Sequence, residues 1–380
     1  MVVSNKSAMG IIFPNSFDAL IPEMANVRLM ASIPFASRYR MIDFVLSSMS
    51  NCDIDNVAVL PNRKYHSLMD HLGSGREWDL VRKNGGLSIF PPYAESAKAM
   101  NTGRVGQIAG ILGFLKEQKE KYVVMADSNV AINIDFKAMI EAHIASGADV
   151  TIAYNEQAVP ESFVKSDNVN KDFYYSLTID GGKVKKIYVN PTDGGVQNLS
   201  LNIFVIAREL LIELVEVAFM RGQVHFTRDI LLNQVNHLNI QAYKYDGYAA
   251  RIWGINSYFE ENMKLLDDYN LDALFAGGPI YTKIRDDNPT RYITGSKAAN
   301  VMVADGCVIE GEVENSILFR GVKIAKGAKV KNCILMQDTV VDAGANIEYL
   351  IADKDVTISA GKEMKGTDSY PVYIAKGVTV

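Results

Sequence analysis

The chain has 380 residues, of which 48% are hydrophobic and 22% charged, and its formal net charge is −5. This composition is typical of a soluble globular protein of two or three domains, and it excludes long disorder, a collagen-like fibre and a disulfide scaffold. An acidic chain also lacks the basic footprint of a nucleic-acid binder, so we expect no nucleic-acid partner.

Cysteine usage and apolar runs indicate the compartment. Cys52, Cys307 and Cys333 are too few and too scattered for a disulfide framework or a zinc site. The N-terminal sequence MVVSNKSAMG has no apolar run of the kind found in secretory signals. The best candidate for a membrane span is interrupted by Arg208 and two nearby glutamates. We therefore expect a cytoplasmic protein with reduced thiols and no membrane partner.

The first two thirds of the chain alternate short apolar strands with amphipathic helices. Four strands are predicted, at residues 10–13, 57–60, 122–125 and 150–154. Helical spacing of apolar residues predicts a helix at 139–144, capped by Gly147, and another at 208–220. Strands separated by helices imply a mostly parallel sheet, and Asp180-Gly181-Gly182 predicts a hairpin turn within it. The fold class is therefore α/β with a mixed sheet.

The pattern changes after about residue 292, where small aliphatic residues recur every six positions. Two such series are Leu318, Ile324, Val330 and Met336, and Val322, Ala328, Ile334 and Val340. This period indicates a left-handed parallel β-helix with three hexads per coil, and an ordinary β-sandwich is the alternative. We predict an α/β domain over 1–266, a linker over 267–292 and a β-helix over 293–380. Such a solenoid stacks readily on neighbours, so we expect an oligomer.

Four long blocks of sequence carry a family resemblance. They are IPFASRYRMIDFVLSSMSNCDIDNVAVL, KYHSLMDHLGSGREWDL, PIYTKIRDDNPT and NSILFRGVKI. In this order they resemble bacterial glucose-1-phosphate adenylyltransferases, also called ADP-glucose pyrophosphorylases. The resemblance implies a Rossmann-like nucleotidyltransferase domain, a C-terminal left-handed β-helix and a tetramer. It also implies the family's reaction, in which ATP and glucose 1-phosphate give ADP-glucose and pyrophosphate for glycogen biosynthesis.

The family's phosphate-binding loop is not retained. Relatives of this type carry GGxGTRL after the first strand, and only glycine lets the backbone approach the phosphates so closely. This chain reads FPNSFDAL over residues 13–20, where Pro14 removes a backbone donor and Asp18 would repel a triphosphate. The loop arginine that stabilises the leaving pyrophosphate is also missing. We predict a loop that only closes the first βα turn.

The metal-binding carboxylates implied by the resemblance are reduced from two to one. Asp127 matches the first, and Arg251 in YAARIWG occupies the place of the second, which lies in YWRDVGT in the family. A guanidinium could bind a phosphate, but it cannot ligate Mg²⁺. We therefore expect no metal or other cofactor in this chain, with Mg²⁺ confined to a catalytic partner subunit. Asp127 is expected to be a structural carboxylate.

The sugar-phosphate side also departs from the family. Asn190 replaces the lysine of the family's EKP triplet, and Asn202 replaces the glycine of its SMG segment. Ser200 and Asp229 are retained and would mark a vestigial sugar pocket, whereas His225 replaces a family aspartate and is expected to be structural. With the degenerate positions Asp127, Asn190 and Arg251, we expect no catalytic residue.

Three arginines match the family's allosteric site, which gathers cations around a phosphorylated effector between the two domains. They are Arg28, Arg40 and Arg320. A planar guanidinium suits bidentate recognition of phosphate. Two family lysines nearby are replaced by Val27 and Met30, which weakens or alters such a site. In the alternative reading, each arginine only pairs with a carboxylate at the domain junction.

The leading hypothesis is a catalytically silent regulatory subunit of glucose-1-phosphate adenylyltransferase. It would form a heterotetramer with a catalytic homologue and respond to a phosphorylated metabolite. The alternatives are a weak or altered sugar-phosphate nucleotidyltransferase, a structural scaffold and a hexapeptide acyltransferase. The last is disfavoured because such enzymes use a histidine base on the coils, and all five histidines precede the repeats.

Overall fold

In the computed structural model, which describes residues 7–92, 103–164 and 174–380, an α/β domain is followed by a parallel β-helix. The strands of the α/β domain are β1 (Ala8–Phe13), β2 (Pro34–Phe35), β3 (Tyr39–Arg40), β4 (Asn56–Val59), β5 (Gly86–Ile89), β6 (Tyr122–Asp127), β7 (Val130–Ile132), β8 (Val150–Ala158), β9 (Tyr175–Asp180), β10 (Lys183–Val189), β11 (Val196–Ala207), β12 (Ile240–Lys244) and β13 (Ala249–Arg251). Its helices are α1 (Pro22–Ala25), α2 (Met41–Asn51), α3 (His66–Leu72), α4 (Gly103–Ala109), α5 (Leu112–Glu117), α6 (Phe136–Ser146), α7 (Glu161–Val164), α8 (Arg208–Met220), α9 (Leu232–Gln234), α10 (Ile255–Lys264) and α11 (Asp268–Phe275).

Nine of these strands form one sheet in the order β5-β4-β1-β6-β11-β8-β12-β10-β9. The β1 strand runs parallel to β4 and β6, whereas β11 is antiparallel to both β6 and β8. Every residue of β1 and β6 is buried, as expected of central strands that are covered on both faces. The predicted mixed sheet is therefore confirmed.

The elements predicted in this domain are all present, and most extend beyond their predicted bounds. The helix predicted around 139–144 is α6, and Gly147 ends it with a φ of +58°. The helix predicted over 208–220 is α8. The hairpin turn lies between β9 and β10, where Gly181 and Gly182 have φ values of +56° and +82°. Such angles favour glycine, so the turn forms without strain.

The β-helix comprises short parallel strands that stack from coil to coil. They are β14 (Arg291–Tyr292), β15 (Lys297–Val303), β16 (Val308–Ile309), β17 (Glu312–Leu318), β18 (Lys323–Ile324), β19 (Lys329–Lys331), β20 (Ile334–Leu335), β21 (Val340–Val341), β22 (Asn346–Glu348), β23 (Leu350–Ala352), β24 (Thr357–Ile358), β25 (Glu363–Lys365) and β26 (Val372–Ile374). All pairings between them are parallel among the described strands.

The coil length differs from the predicted three hexads. Val313 pairs with Val330 and Val330 with Ile347, so these central coils are offset by 17 residues, one fewer than three full hexads, whereas Val308 pairs with Lys323, an offset of 15. A strict six-residue series therefore drifts out of register. Val340, the last member of the second predicted series, is only half-buried, and Thr339 is buried beside it.

Part of the segment predicted as a linker forms secondary structure that belongs to the two domains. It contains α11, and its last two residues form β14, which pairs with β16 in the first coil of the β-helix. The junction itself is apolar, because Phe319 and Met336 of the β-helix belong to the same buried cluster as Tyr258 and Phe259 of α10. None of the helices in the described ranges has the length and apolar composition needed to cross a membrane.

Candidate functional site

The carboxyl ends of β1 and β6 bring the predicted nucleotide site together. Asp127 is the last residue of β6, and it lies in register with Phe13, the last residue of β1. Ligands of open α/β sheets bind in the crevice outside such strand ends. The loop over 13–20, Asp127 and the start of β7 therefore occupy the position where a nucleotide would bind.

The loop that follows β1 is closed on itself. The carboxylate of Asp18 accepts hydrogen bonds from the backbone N–H of Met30, at 2.7 Å, and from the side chain of Asn15, at 2.9 Å. Burial raises the pKa of Asp18 above its ordinary value, although these two hydrogen bonds oppose the shift. The carboxylate is thus directed into the protein, where it holds the loop in place.

Asp127 is neutralised by an arginine that the sequence analysis did not single out. Arg104, in α4, forms an ion pair with Asp127, and its guanidinium lies over the ring of Phe13 at 5.5 Å. The side chains of Asp127 and Arg104 are 1% and 13% exposed. Burial raises the pKa of Asp127 to about 6, and the charge of Arg104 opposes that shift. The carboxylate is therefore already occupied by an internal cation.

Arg251 is a second buried arginine of this domain. It lies at the end of β13, which pairs with β7. Its guanidinium donates to the backbone oxygen of Ser200 at 3.0 Å and to the side-chain oxygens of Asn155 and Gln157 at 3.2 Å each. Burial lowers the pKa of Arg251 to about 10. It packs over the ring of Trp253 at 5.5 Å, so amide oxygens and an aromatic face surround the guanidinium, whose Nη1 is buried without a hydrogen-bond partner in the described part of the chain.

These contacts do not suit the Mg²⁺ that the resemblance implies. A divalent cation at the end of β6 would have to displace Arg104 from Asp127, and Arg251, at the position of the family's second carboxylate, cannot ligate a metal. Across the described ranges, the protein has no group of three or more histidine, cysteine, aspartate or glutamate side chains that could hold a metal ion. The described residues at this position thus do not supply the pair of carboxylates that Mg²⁺ would need.

The residues predicted on the sugar side have structural contacts. Asn190 has a φ of +44°, and its side-chain oxygen accepts a hydrogen bond from the backbone N–H of Tyr174 at 3.1 Å. Asp229 accepts hydrogen bonds from the backbone N–H groups of Val224 and His225 at 2.9 and 2.8 Å. Burial acts to raise the pKa of Asp229, but these N–H groups outweigh it, so the pKa lies below its ordinary value. Both side chains therefore hold local turns.

Ser200 lies at an irregularity in β11. The register with β8 shifts between Ser200 and Ile203, and the hydroxyl of Ser200 accepts the backbone N–H of Asn202 at 3.1 Å. Asn202 is 1% exposed and has a φ of +56°. Buried polar atoms of Asn202, Ser128 and Asn129 find no hydrogen-bond partner in the described part of the chain. This edge of the sheet thus retains polar groups that a ligand could satisfy.

A separate cationic cavity of about 360 Å³ lies at the junction of the two domains. Arg40 and Arg320, predicted for the effector site, both line it. The described lining also includes further cations, histidines and one carboxylate: Arg38, Lys283, Arg285, Lys354, Lys376, His66, His71 and Asp70. The positive charge of these walls suits an anion.

Arg28 lies outside the described lining of this cavity. Its guanidinium binds both carboxylate oxygens of Asp353, a residue of the β-helix, at 2.7 Å each. Asp353 is fully buried and also accepts the hydroxyl of Tyr373 at 2.8 Å. The geometry of Arg28 therefore matches the alternative reading, in which an arginine pairs with a carboxylate at the domain junction.

Two of the residues that line the cavity on the side of the α/β domain are held by the buried carboxylate of Asp43. Asp43, in the first turn of α2, accepts the backbone N–H of Arg40 at 2.9 Å and contacts Nε2 of His71 at 2.6 Å. Arg40 also donates to the backbone oxygen of Ser67 at 2.7 Å. Burial lowers the pKa of His71, which favours the neutral imidazole. Asp43 thus holds the backbone of Arg40 and the imidazole of His71 in place.

Comparison with known proteins adds to this geometry. Residues 27–188 match the family model described as nucleotidyl transferase, and residues 284–370 match the model described as GlmU-like, C-terminal hexapeptide. A glycogen biosynthesis protein GlgD from Geobacillus stearothermophilus is 38% identical over 375 residues, which cover 98% of this chain and 97% of the relative. The protein of the same name from Bacillus subtilis is 34% identical over 327 residues, which cover 86% of this chain and 83% of the relative.

A relative named glucose-1-phosphate adenylyltransferase, from Geobacillus stearothermophilus, is 30% identical over 305 residues, which cover 79% of this chain and 76% of the relative. The chain belongs to the glucose-1-phosphate adenylyltransferase family. Its two parts are accordingly a Rossmann-like nucleotidyltransferase domain and a β-helix of hexapeptide repeats.

Three residues of the two sites were not identified from the sequence of this adenylyltransferase family member. Arg104 begins a short helix and matches no motif used above, and Asp43 is recognisable only as an acidic residue three positions after Arg40. Lys354 lies on a turn of the β-helix, far in sequence from the other cavity residues. Their roles depend on long-range contacts that only the folded chain reveals.

Proposed function

We propose that the protein is a catalytically silent, regulatory subunit of glucose-1-phosphate adenylyltransferase that acts in glycogen biosynthesis. It assembles with a catalytic homologue into a heterotetramer and modulates the rate of that partner. A phosphorylated metabolite, bound in the cationic cavity between the two domains, adjusts this modulation. The chain itself needs no metal or cofactor.

The observation that carries the proposal is that arginines stand at the two positions where the family's carboxylates would hold a metal, one paired with Asp127 and one in place of the second carboxylate. Asp127 is paired with Arg104, and Arg251 occupies the place of the second metal-binding carboxylate. Transfer of a nucleotidyl group requires a divalent cation and other positive groups that stabilise the developing charge of the leaving pyrophosphate. The closed loop around Asp18 and the structural role of Asn190 remove two further contacts to phosphate.

The relatives support the biological setting. Two proteins that match most of this chain are named glycogen biosynthesis protein GlgD. A regulatory subunit can change its partner's rate only if its contacts differ between the active and inactive states of that partner. The cavity suits this role, because its walls come from both domains and a bound anion would bias their relative position.

The test is kinetic. The purified chain is mixed with the catalytic adenylyltransferase of the same organism, and pyrophosphate release is measured with ATP, glucose 1-phosphate and Mg²⁺. We expect no activity from the chain alone and a saturable change in maximal rate or substrate affinity in the mixture. A mixture whose rate and substrate affinity equal those of the catalytic subunit alone would refute the proposal.

A matched pair of variants tests the effector site within the same assay. Lys376→Glu reverses a charge in the cavity, and Lys362→Glu makes the same change at an exposed position of the β-helix outside the described cavity lining. We expect the first variant to lose the response of the mixture to a phosphorylated effector and the second to retain it. Equal responses in the two variants would argue against the cavity as the effector site.

A second candidate is a weak or altered sugar-phosphate nucleotidyltransferase. It is favoured by the retained Asp127 and by polar atoms of Ser128, Asn129 and Asn202 that have no partner among the described residues and could contact a nucleotide or sugar. Calorimetry of the isolated chain with ATP and Mg²⁺ tests it. A heat of binding together with slow pyrophosphate release would support this candidate, and the absence of binding would eliminate it.

A further inference from the structure

The strands β8 to β12 form a part of the sheet that closes on itself. The order β11-β8-β12-β10-β9 returns to its start, because Leu199 of β11 also pairs with Ser176 of β9. A cavity of about 610 Å³ lies where these strands meet the loop that joins β10 to β11. This volume falls within the range of about 300–1,000 Å³ that is typical of small-molecule sites.

This cavity is distinct from the two sites described above. Glu156, which lines it, lies between Asn155 and Gln157 on β8. Those two neighbours both accept hydrogen bonds from Arg251, at 3.2 Å each. Successive side chains of a strand point to opposite faces of the sheet, so Glu156 faces away from Arg251. The described lining also shares no residue with that of the cationic cavity at the domain junction.

The charges of the lining do not suit a phosphate or a metal ion. The described lining residues include no lysine, arginine or histidine, and two of them, Glu156 and Asp193, are carboxylates. Glu156 pairs at 3.3 Å with Lys244, which lies outside the described lining. Asp193 is exposed, and a single exposed carboxylate holds a cation only weakly. The cavity therefore favours a neutral ligand.

The uncharged groups of the lining match a ligand that carries hydroxyl groups. Ser176, Gln197 and Asn198 each offer both a donor and an acceptor of hydrogen bonds, as does a sugar hydroxyl. Asn198 donates to the backbone oxygen of Leu177 at 3.3 Å, and Gln197 donates to the backbone oxygen of Asp193. Within the described part of the chain, these contacts orient both amides and leave the second N–H and the oxygen of each for a ligand.

Tyr188 supplies an apolar surface in the same cavity. It lies on β10 in register with Ser176, and it is 45% exposed although its ring is large and mostly apolar. A pyranose ring presents C–H groups on its face and hydroxyl groups at its rim. It can therefore pack on an aromatic ring while its hydroxyl groups bind the surrounding amides.

We propose that this cavity binds a neutral saccharide built of glucose units, such as the end of an α-glucan chain. The pyranose ring packs on Tyr188, and its hydroxyl groups bind Ser176, Gln197 and Asn198. The choice of glucose rests on the proposed function, in which the chain acts in glycogen biosynthesis. Such a site would hold the regulatory subunit, and its catalytic partner, on the polymer that the pathway builds.

Calorimetry of the full-length chain with maltohexaose, a linear oligosaccharide of glucose, tests the site. We expect saturable binding that added salt does not weaken, because the ligand carries no charge. Spermidine, a cationic control probe, should not displace the oligosaccharide. Native gels with and without glycogen distinguish the source of the saccharide: slower migration in glycogen identifies the polymer, and unchanged migration identifies a free oligosaccharide.

Three variants assign the binding to Tyr188. Tyr188→Ala removes the ring and should weaken maltohexaose binding at least about tenfold, whereas Tyr188→Phe keeps the ring and should retain most of the affinity. Tyr370→Ala is the matched control, because it removes a tyrosine of the β-helix that is 75% exposed and outside the described lining. It should bind like the unmodified chain. Circular dichroism of each variant checks that it is folded.

Three results would overturn the inference. Failure to bind maltohexaose would remove the site, and equal affinities of Tyr188→Ala and the unmodified chain would place the saccharide elsewhere. Displacement by spermidine would make the cavity a cation site. The kinetic test of the proposed function contains no glucan, so an unchanged rate in that mixture would count against the regulatory role and leave these binding measurements as they are.

Discussion

The ion pair between Arg104 and Asp127 makes a quantitative prediction. Replacing Arg104 with methionine keeps much of the side-chain volume over Phe13 but removes the charge. The Asp127 side chain is 1% exposed, so the substitution leaves a buried carboxylate without its cation. Breaking a buried pair in this way costs about 3–5 kcal/mol in the free energy of unfolding, because the remaining charge stays desolvated.

The cost should depend on pH in a defined direction. Burial holds the pKa of Asp127 at about 6, above its value in the unfolded chain, so this group favours folding when protonated and loses that contribution as the pH rises. Removing Arg104 raises the pKa of Asp127 further. The destabilisation caused by Arg104→Met should therefore be largest at about pH 8 and smaller at about pH 5, where the carboxyl can become neutral.

Urea unfolding followed by tryptophan fluorescence measures this effect. Trp78 and Trp253 are both buried in the α/β domain, so their emission reports on the domain that contains the pair. The double variant Arg104→Met/Asp127→Asn should recover much of the loss, because neither charge of the pair remains. As a control, Lys116→Met breaks an ion pair whose side chains are 55% and 41% exposed, and it should change stability by less than about 1 kcal/mol.

Two results would refute this reasoning. A loss below about 1 kcal/mol for Arg104→Met would show that the pair is not a buried, charged contact. An equal loss at both pH values would show that the ionisation of Asp127 is not involved.

Three further predictions concern the junction, a turn and the thiols. Arg28→Met should lower the free energy of unfolding by about 3–5 kcal/mol in urea, because Asp353 is fully buried; a loss below about 1 kcal/mol would contradict this. Asn190→Ala should lower the free energy of unfolding by about 1 kcal/mol in the same assay, and Asn190→Gly should lower it less, because the φ of +44° suits glycine. Equal losses would show that the positive φ of residue 190 does not matter for stability. Burial raises the pKa of Cys307 to about 11 and of Cys333 to about 12, so a thiol reagent should modify at most Cys52 in the native chain and all three cysteines in urea.

Much of the fold followed from local sequence patterns. The strand β1 is apolar apart from one glycine, β6 is apolar up to its last residue, and the hairpin at Gly181 and Gly182 is specified by residues that tolerate positive φ. Such signals act over a few residues, so they can be recognised without knowledge of the tertiary structure. The change from helical spacing to a six-residue period marked the β-helix for the same reason.

The length of the β-helix coil was not predicted, because it depends on corner geometry. Asn315 and Asn332 occupy equivalent corners one coil apart, and both have positive φ values, of +44° and +50°. Asparagine adopts this conformation readily, so a corner can form without glycine and one residue can be omitted from a hexad. A search for strict six-residue repeats does not detect this omission.

The contacts of the predicted nucleotide site could not be read from the sequence. The replacement of a carboxylate by Arg251 could be read from the motif, but the pairing of Asp127 with Arg104 joins two segments that are distant in sequence. Likewise, Arg40 and Arg320 face a common cavity, whereas Arg28 binds Asp353. The sequence shows that an arginine is present, but it does not show which carboxylate the arginine pairs with or which cavity it lines.

The central claim is that this chain alters catalysis by a partner without catalysing the reaction itself. The most direct measurement titrates the chain into two preparations of the catalytic adenylyltransferase subunit, one intact and one inactivated by substitution of its own metal-binding aspartates. We predict that ADP-glucose synthesis changes saturably in the first titration and is absent from the second. ADP-glucose formed in the second titration, or an unchanged rate in the first, would contradict the account.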